Sequence, residues 1–121
     1  MKKLIAAFML LLLITGCSSG GSYTDVSVDE AKELIDSGDV QVLDVRTPEE
    51  LAAGHIPGAK LVPLQVIESM LSELDKDQKY LVVCRSGNRS TEASGILVKN
   101  GFKNIYNMTG GMNEWKFEIE Q

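Results

Sequence analysis

The sequence predicts an α/β domain on a central, mostly parallel sheet with helices on both faces. Three observations lead there. Strand-like and helix-like segments alternate along most of the chain. The run VQVLDV, residues 40–45, alternates and then becomes mostly apolar, as an interior strand of a covered sheet does. Two of the intervening segments open with a capping box and stop at glycine.

Taken in order, Ser27-Val28-Asp29-Glu30 has the form S-x-x-E and opens a helix that Gly38 closes. The strand at 40–45 follows. Thr47-Pro48-Glu49-Glu50 is the second capping box, with proline at the first helical position, and Gly54 ends that short helix. KLVPL supplies a short strand at 60–62. Beyond it Val66, Ile67, Met70, Leu71 and Leu74 line one face of a helix predicted over 64–74. A strand at 80–83, a helix at 89–99 stopped by Asn100-Gly101, a strand at 104–106 and a last short helix at 112–117 complete the pattern.

Ahead of the domain stand Lys2-Lys3, an uncharged run at 4–14 and ITGC at 14–17. A helix over that run would span about 16 Å, far short of a bilayer core of about 30 Å. Residues 1–16 therefore read as a signal peptide. The small residues Thr15 and Gly16 before Cys17 resemble a bacterial lipobox, which implies cleavage before Cys17 and lipid on its sulfur. SSGGS at 18–22 is a flexible spacer, so 17–22 is a lipidated cysteine with its linker and 23–121 the folded domain. Fully extended, the chain from 17 to 23 reaches roughly 25 Å, which would hold the domain near the extracytoplasmic face of the cell membrane. A cleaved soluble form, with Cys17 discarded or left as a plain thiol, is the alternative. The formal net charge is −5, and losing Lys2 and Lys3 makes it more negative, which argues against nucleic acid as a partner.

With Cys17 lipidated, Cys84 is the only thiol left, so it is a buried filler, an intermolecular disulfide partner or a nucleophile. Its setting favours the last. Cys84 ends an apolar strand, where the crevice of a parallel α/β sheet lies. Arg85, Ser86, Gly87 and Asn88 then turn the chain into a helix whose first residues include Arg89 and Ser90. A loop wrapping into a helix N-terminus aims several amides at one point, a nest that stabilises an anion. A free cysteine with a pKa of about 8.5 is only about 3% thiolate at pH 7, so such a nest raises the reactive fraction many-fold.

The strand followed by CRSGNRS resembles the active-site loop of the rhodanese family of sulfurtransferases. LDVRTPEELAAGHIPGA at 43–59 and TGGMNEW at 109–115 are similar to two further motifs of that family, in the same order. The resemblance covers about 23–117. It implies a single rhodanese-like domain in which Cys84 takes a sulfane sulfur from a donor such as thiosulfate, holds it as a persulfide and passes it to a thiophilic acceptor. It further implies that the backbone amides of Arg85, Ser86, Gly87, Asn88, Arg89 and Ser90 stabilise the sulfur, that Arg85 and Arg89 attract the donor's oxyanion, and that no metal or organic cofactor takes part. The expected partners are a small sulfur-containing anion and a thiol or persulfide acceptor, with a monomer as the expected state. Asp44 and Arg46 end a strand on the same edge and either hydrogen-bond behind the loop or pair with each other. The resemblance gives His55, the only histidine, a structural place; Gly110, Gly111 and Trp115 read as turn and core residues.

Two other readings stay open. Cysteine-dependent phosphatases also hold a thiolate in an anion-binding loop, but with five residues between cysteine and arginine, whereas four separate Cys84 from Arg89. The other is a rhodanese-like module that only binds a partner; such a module could dispense with the cysteine, and this chain has it. For the leader, Cys17→Ala should block lipid attachment and signal removal together, and the wild-type mature chain should partition into detergent. A mature chain found wholly in the aqueous phase would refute the anchor.

Overall fold

The computed structural model describes residues 22–121, so the leader at 1–16, Cys17 and nearly all of the linker lie outside the described residues. Five strands and five helices follow in turn: β1 (Thr24–Val26), α1 (Val28–Ser37), β2 (Val40–Asp44), α2 (Pro48–Ala53), β3 (Lys60–Leu61), α3 (Ile67–Met70), β4 (Lys79–Val83), α4 (Asn88–Lys99), β5 (Asn104–Met108) and α5 (Gly111–Glu114). Single 3₁₀ turns at Leu64–Val66 and Leu71–Glu73 flank α3. Both capping boxes form: the Ser27 and Thr47 hydroxyls accept from the Glu30 and Glu50 amides, and each glutamate accepts from the N-cap amide.

The sheet order is β1-β5-β4-β2-β3, and every pair is parallel. All five strands therefore deliver their carboxyl ends to one edge. Side chains alternate across the sheet. Leu43, Tyr80 and Val82 face one core, closed by Ile67 of α3 and by Ala93 and Leu97 of α4. Val42, Leu81, Val83 and Met108 face the other, closed by Val28 and Ala31 of α1 and by Ile56. Burying strand residues on both faces is what made their pattern apolar rather than strictly alternating. The buried side of α4 carries Ser90, Ala93, Ser94 and Leu97, mostly small residues that let the helix lie close to the sheet.

The structure departs from the sequence pattern in three places. The helix expected over 64–74 is broken into a short α-helix between two 3₁₀ turns, because Val66 (φ −119°) leaves α geometry, Leu74 turns extended (ψ 156°) and the Ser69 hydroxyl donates to the Val66 carbonyl at 2.8 Å. The breaks rotate the apolar stripe: Ile67 is buried, but Val66 turns outward and is 43% exposed. The sequence predicts no strand at 24–26, since three residues carry too little periodicity. Strand β1 exists because β5 offers a free edge, pairing Thr24 with Tyr106, Asp25 with Asn107 and Val26 with Met108. The same pairing carries β5 to Met108. Finally, α5 stops at Glu114, where Trp115 turns extended and its indole N–H donates to the Glu118 carbonyl at 3.1 Å.

At the end of β2, Asp44 and Arg46 form a buried ion pair, with Nη2–Oδ2 at 2.7 Å and Nε–Oδ1 at 2.8 Å. Arg46 Nη2 also donates to the Gly54 carbonyl at 2.8 Å, which ties the end of α2 to the sheet. Two charges out of water are tolerable only while each satisfies the other. Asp44→Ala should therefore cost about 3–5 kcal/mol, read from the urea midpoint at constant m-value. A loss under about 1 kcal/mol, the scale of an exposed pair, would mean that Arg46 is not desolvated.

Candidate active site

Cys84 is the first residue past β4, and the chain bends through Arg85, Ser86 and Gly87 before α4 begins at Asn88. Two glycines make the bend possible. Gly87 has φ +100°, and a Cβ there would overlap the Thr109 carbonyl. Gly111 has φ +65°, and a Cβ there would overlap the backbone of Arg85 and Ser86. Both positions thus exclude side chains by conformation and by contact. The start of α5 then ties off the loop from outside: Met112 N–H donates to the Cys84 carbonyl at 2.8 Å and Asn113 N–H to the Arg85 carbonyl at 2.9 Å. Because β4 and β5 are parallel neighbours, these segments meet without any long excursion.

With its carbonyls engaged outward, the loop aims amides inward at the buried sulfur. Gly87 N–H donates to Cys84 Sγ at 3.0 Å, and Ser90 Oγ lies 3.5 Å from it. Burial pushes the thiol up, but hydrogen bonds from the Ser90 hydroxyl and from the Ser90, Gly87 and Ser86 amides outweigh it, and the Cys84 pKa is lowered. A hydroxyl at that position can accept from the thiol and donate to the thiolate. While Cys84 is a thiol donating to Ser90 Oγ, the Gly87 carbonyl accepts from Ser90 Oγ (3.1 Å) as well as from Thr91 Oγ1 (2.8 Å), and the Ser90 proton turns to the sulfur when the thiolate forms. Asn107 of β5 donates in turn to Thr91 Oγ1 and to Asp25 of β1, both at 3.0 Å, so the loop is braced through to the sheet edge.

Both arginines of the loop turn to Glu50 of α2. Arg89 forks onto its carboxylate, Nη1–Oε1 at 2.7 Å and Nη2–Oε2 at 2.9 Å, and Arg85 Nε reaches Oε2 at 3.1 Å. The Arg89 guanidinium, helped by Thr47, holds the Glu50 carboxyl well below the usual carboxylate range. Arg89 is raised by the same contact. The two terminal nitrogens of Arg85 have no hydrogen-bond partner among the described residues, and its side chain is 59% exposed. Beside Arg89 opens a cavity of about 200 Å³ with Val45, Pro48, Pro63 and Leu64 in its walls.

Of the residues singled out in the sequence, Cys84, Gly87 and Ser90, with the Ser86 amide, converge on the sulfur; Arg85, Ser86 and Asn88 are otherwise exposed at the rim, and Arg89 turns to Glu50. Asp44 and Arg46 pair with each other and with Gly54, and neither hydrogen-bonds to the loop. His55 donates through Nδ1–H to the Leu51 carbonyl (2.9 Å) and bridges through its backbone to Glu120, so its hydrogen bonds belong to scaffolding. Sequence reasoning missed Glu50, which it read only as a capping residue, and the grip of Gly111 on the loop. Glu50 left a trace: an acidic side chain at one carboxyl-edge turn, complementary to the basic loop at the next.

A rhodanese-like domain profile matches residues 27–118. The thiosulfate sulfurtransferase GlpE of Pseudoalteromonas translucida is 35% identical over 95 residues, covering 78% of this chain and 90% of its own. The putative sulfur carrier protein YrkF of Bacillus subtilis is 34% identical over 103 residues, and the chain spans only 56% of its length. Among solved structures, a rhodanese-like domain protein from Staphylococcus aureus superposes with a TM-score of 0.73 at 40% identity, over 80% of this chain and 96% of that one.

The depressed thiol has a measurable signature. Ser90→Ala removes the side-chain donor, so the pH of half-maximal Cys84 alkylation by iodoacetamide should rise, at a stability cost of about 0.5–1.5 kcal/mol. In wild type the thiolate's contribution to stability is full above the ordinary thiol pKa and is lost as pH falls through the lowered one. Cys84→Ser should lack that dependence, and an alkylation profile unmoved by Ser90→Ala would refute the hydroxyl's part.

Proposed function

The chain belongs to the rhodanese-like domain family, and from that membership we propose that it is a sulfurtransferase working through a persulfide on Cys84. The observation that carries the reading is the buried sulfur taking the Gly87 amide at 3.0 Å, with cationic side chains at the rim above it. The Cys84 thiolate attacks the outer sulfur of thiosulfate; a new S–S bond forms, the old one breaks, and its electron pair leaves on sulfite. The persulfide, singly charged like the thiolate, stays in the same amide nest. An acceptor, cyanide or a thiolate, then attacks the outer sulfur and returns Cys84 to its thiolate. The free nitrogens of Arg85 meet the incoming anion, and the amides of Ser86, Gly87 and Ser90 hold the charge on sulfur.

A phosphatase is a poorer fit, because four residues between Cys84 and Arg89 make a tighter loop and the Arg89 fork is spent on Glu50. The proposal extends to location: the lipobox-like ITGC at 14–17 supports a lipid anchor on Cys17 at the extracytoplasmic face of the cell membrane. With Cys17 lipidated, no second thiol of the same chain can resolve the persulfide, so turnover depends on an external acceptor. The full chain in mild detergent, mixed with excess thiosulfate, should gain one sulfur atom by intact mass and lose it to cyanide. Cys84→Ser should remain folded and gain none. A wild-type chain that takes sulfur from no sulfane donor would point instead to a binding module.

A further inference from the structure

We propose that Glu50 sets the charge of the sulfur donor this site accepts, holding both loop arginines on one carboxylate so that doubly charged donors are disfavoured relative to singly charged or neutral ones. The inference rests on the sulfurtransferase reading and deepens it. Glu50 is fixed in place as the third residue of α2, a helix that starts past the end of β2, the strand next to β4. Its side chain is only 15% exposed, against 34% for Arg89, and its two oxygens take five donors: Arg89 Nη1 and Nη2, Arg85 Nε, and the Thr47 amide and hydroxyl. A carboxylate so fully satisfied stays charged and in place at any working pH.

The charge count at the mouth follows from these contacts. Arg85 and Arg89 against Glu50 leave one positive charge, and the adjoining Asp44–Arg46 pair adds none. Once Cys84 is a thiolate the cluster is neutral. A thiosulfate dianion then meets amide dipoles and the exposed end of Arg85 but no excess of positive charge, whereas a persulfide or thiosulfonate brings less charge to be balanced. Donor recognition at this mouth is thereby shifted away from net charge and toward shape, with the cavity beside Arg89, walled by Val45, Pro48, Pro63 and Leu64 and rimmed by Arg46, Thr47 and Gln65, available to an organic substituent.

Glu50→Gln keeps the side-chain length and an acceptor oxygen but removes the charge. Kinetics of the full chain in detergent would compare thiosulfate, a dianion, with benzenethiosulfonate, a monoanion, using cyanide as acceptor. The expected result is a kcat/KM for thiosulfate raised roughly 3- to 10-fold, mostly through KM, with a clearly smaller gain for benzenethiosulfonate and a shrinking difference as salt rises. Glu50→Asp, which retains the charge, should keep the wild-type ratio between donors. The alkylation midpoint of Cys84 should fall in Glu50→Gln and not in Glu50→Asp. Equal changes for both donors, or a fall in both, would reduce Glu50 to a support for the loop and overturn the proposal. A wild-type chain inert toward both donors would sink the sulfurtransferase reading instead; an unchanged alkylation midpoint in Glu50→Gln would then overturn the charge assignment by itself.

Discussion

The hydrogen bond from the Gly87 amide to the Cys84 sulfur, at 3.0 Å, is possible only if the backbone reverses within three residues of a strand end and runs straight into a helix. That requirement reaches through much of the molecule. It needs a positive φ at Gly87 and an absent side chain at Gly111, because the Thr109 carbonyl and the Arg85 backbone occupy those spaces. It needs β5 beside β4 in parallel, so that the turn after β5 arrives at the loop after β4. It also needs small residues on the inner face of α4, so that Ser90 can come within reach of the sulfur.

The electrostatics of the site divide between two layers. Close to the sulfur the stabilising groups are dipoles, the amides of a loop and of a helix N-terminus, which offset the burial that would otherwise keep the thiol protonated. Formal charges sit further out, and the nearest basic side chains are paired with Glu50 rather than with the sulfur. Neutral donors stabilise a thiolate without quenching it as a directly bonded cation would, and they suit a persulfide of the same charge equally well. A thiolate and a persulfide can thus alternate in the nest with little rearrangement of charge.

Glu50 shows how one side chain can serve two levels of structure. As the third residue of α2 it closes a capping box with Thr47, a local device worth about 1 kcal/mol. As the partner of Arg85 and Arg89 it joins the turn after β2 to the loop after β4, across 35 and 39 residues of sequence. The Asp44–Arg46 pair does similar work deeper in, fastening the end of α2 through the Gly54 carbonyl. The carboxyl edge of the sheet is held by these charge-assisted contacts, while its two faces are held by apolar burial.

What the sequence determined by itself is whatever depends on contacts between near neighbours. Ser27 with Glu30, and Thr47 with Glu50, are three residues apart, so both helix starts were legible, as were the stops at Gly38 and Gly54. The apolar runs gave the interior strands, and the order strand, cysteine, short loop, helix placed Cys84 at an amide nest. What only the tertiary structure decided are contacts between distant segments: the β1–β5 pairing, the break of 64–74, Gly111 against Arg85, and Glu50 between the two arginines. The reason is physical. Local spacing fixes hydrogen bonds that close within about four residues, but the neighbours of a residue at the sheet edge follow from strand order, and β1-β5-β4-β2-β3 is set by how two apolar faces are buried at once, a property of the whole chain.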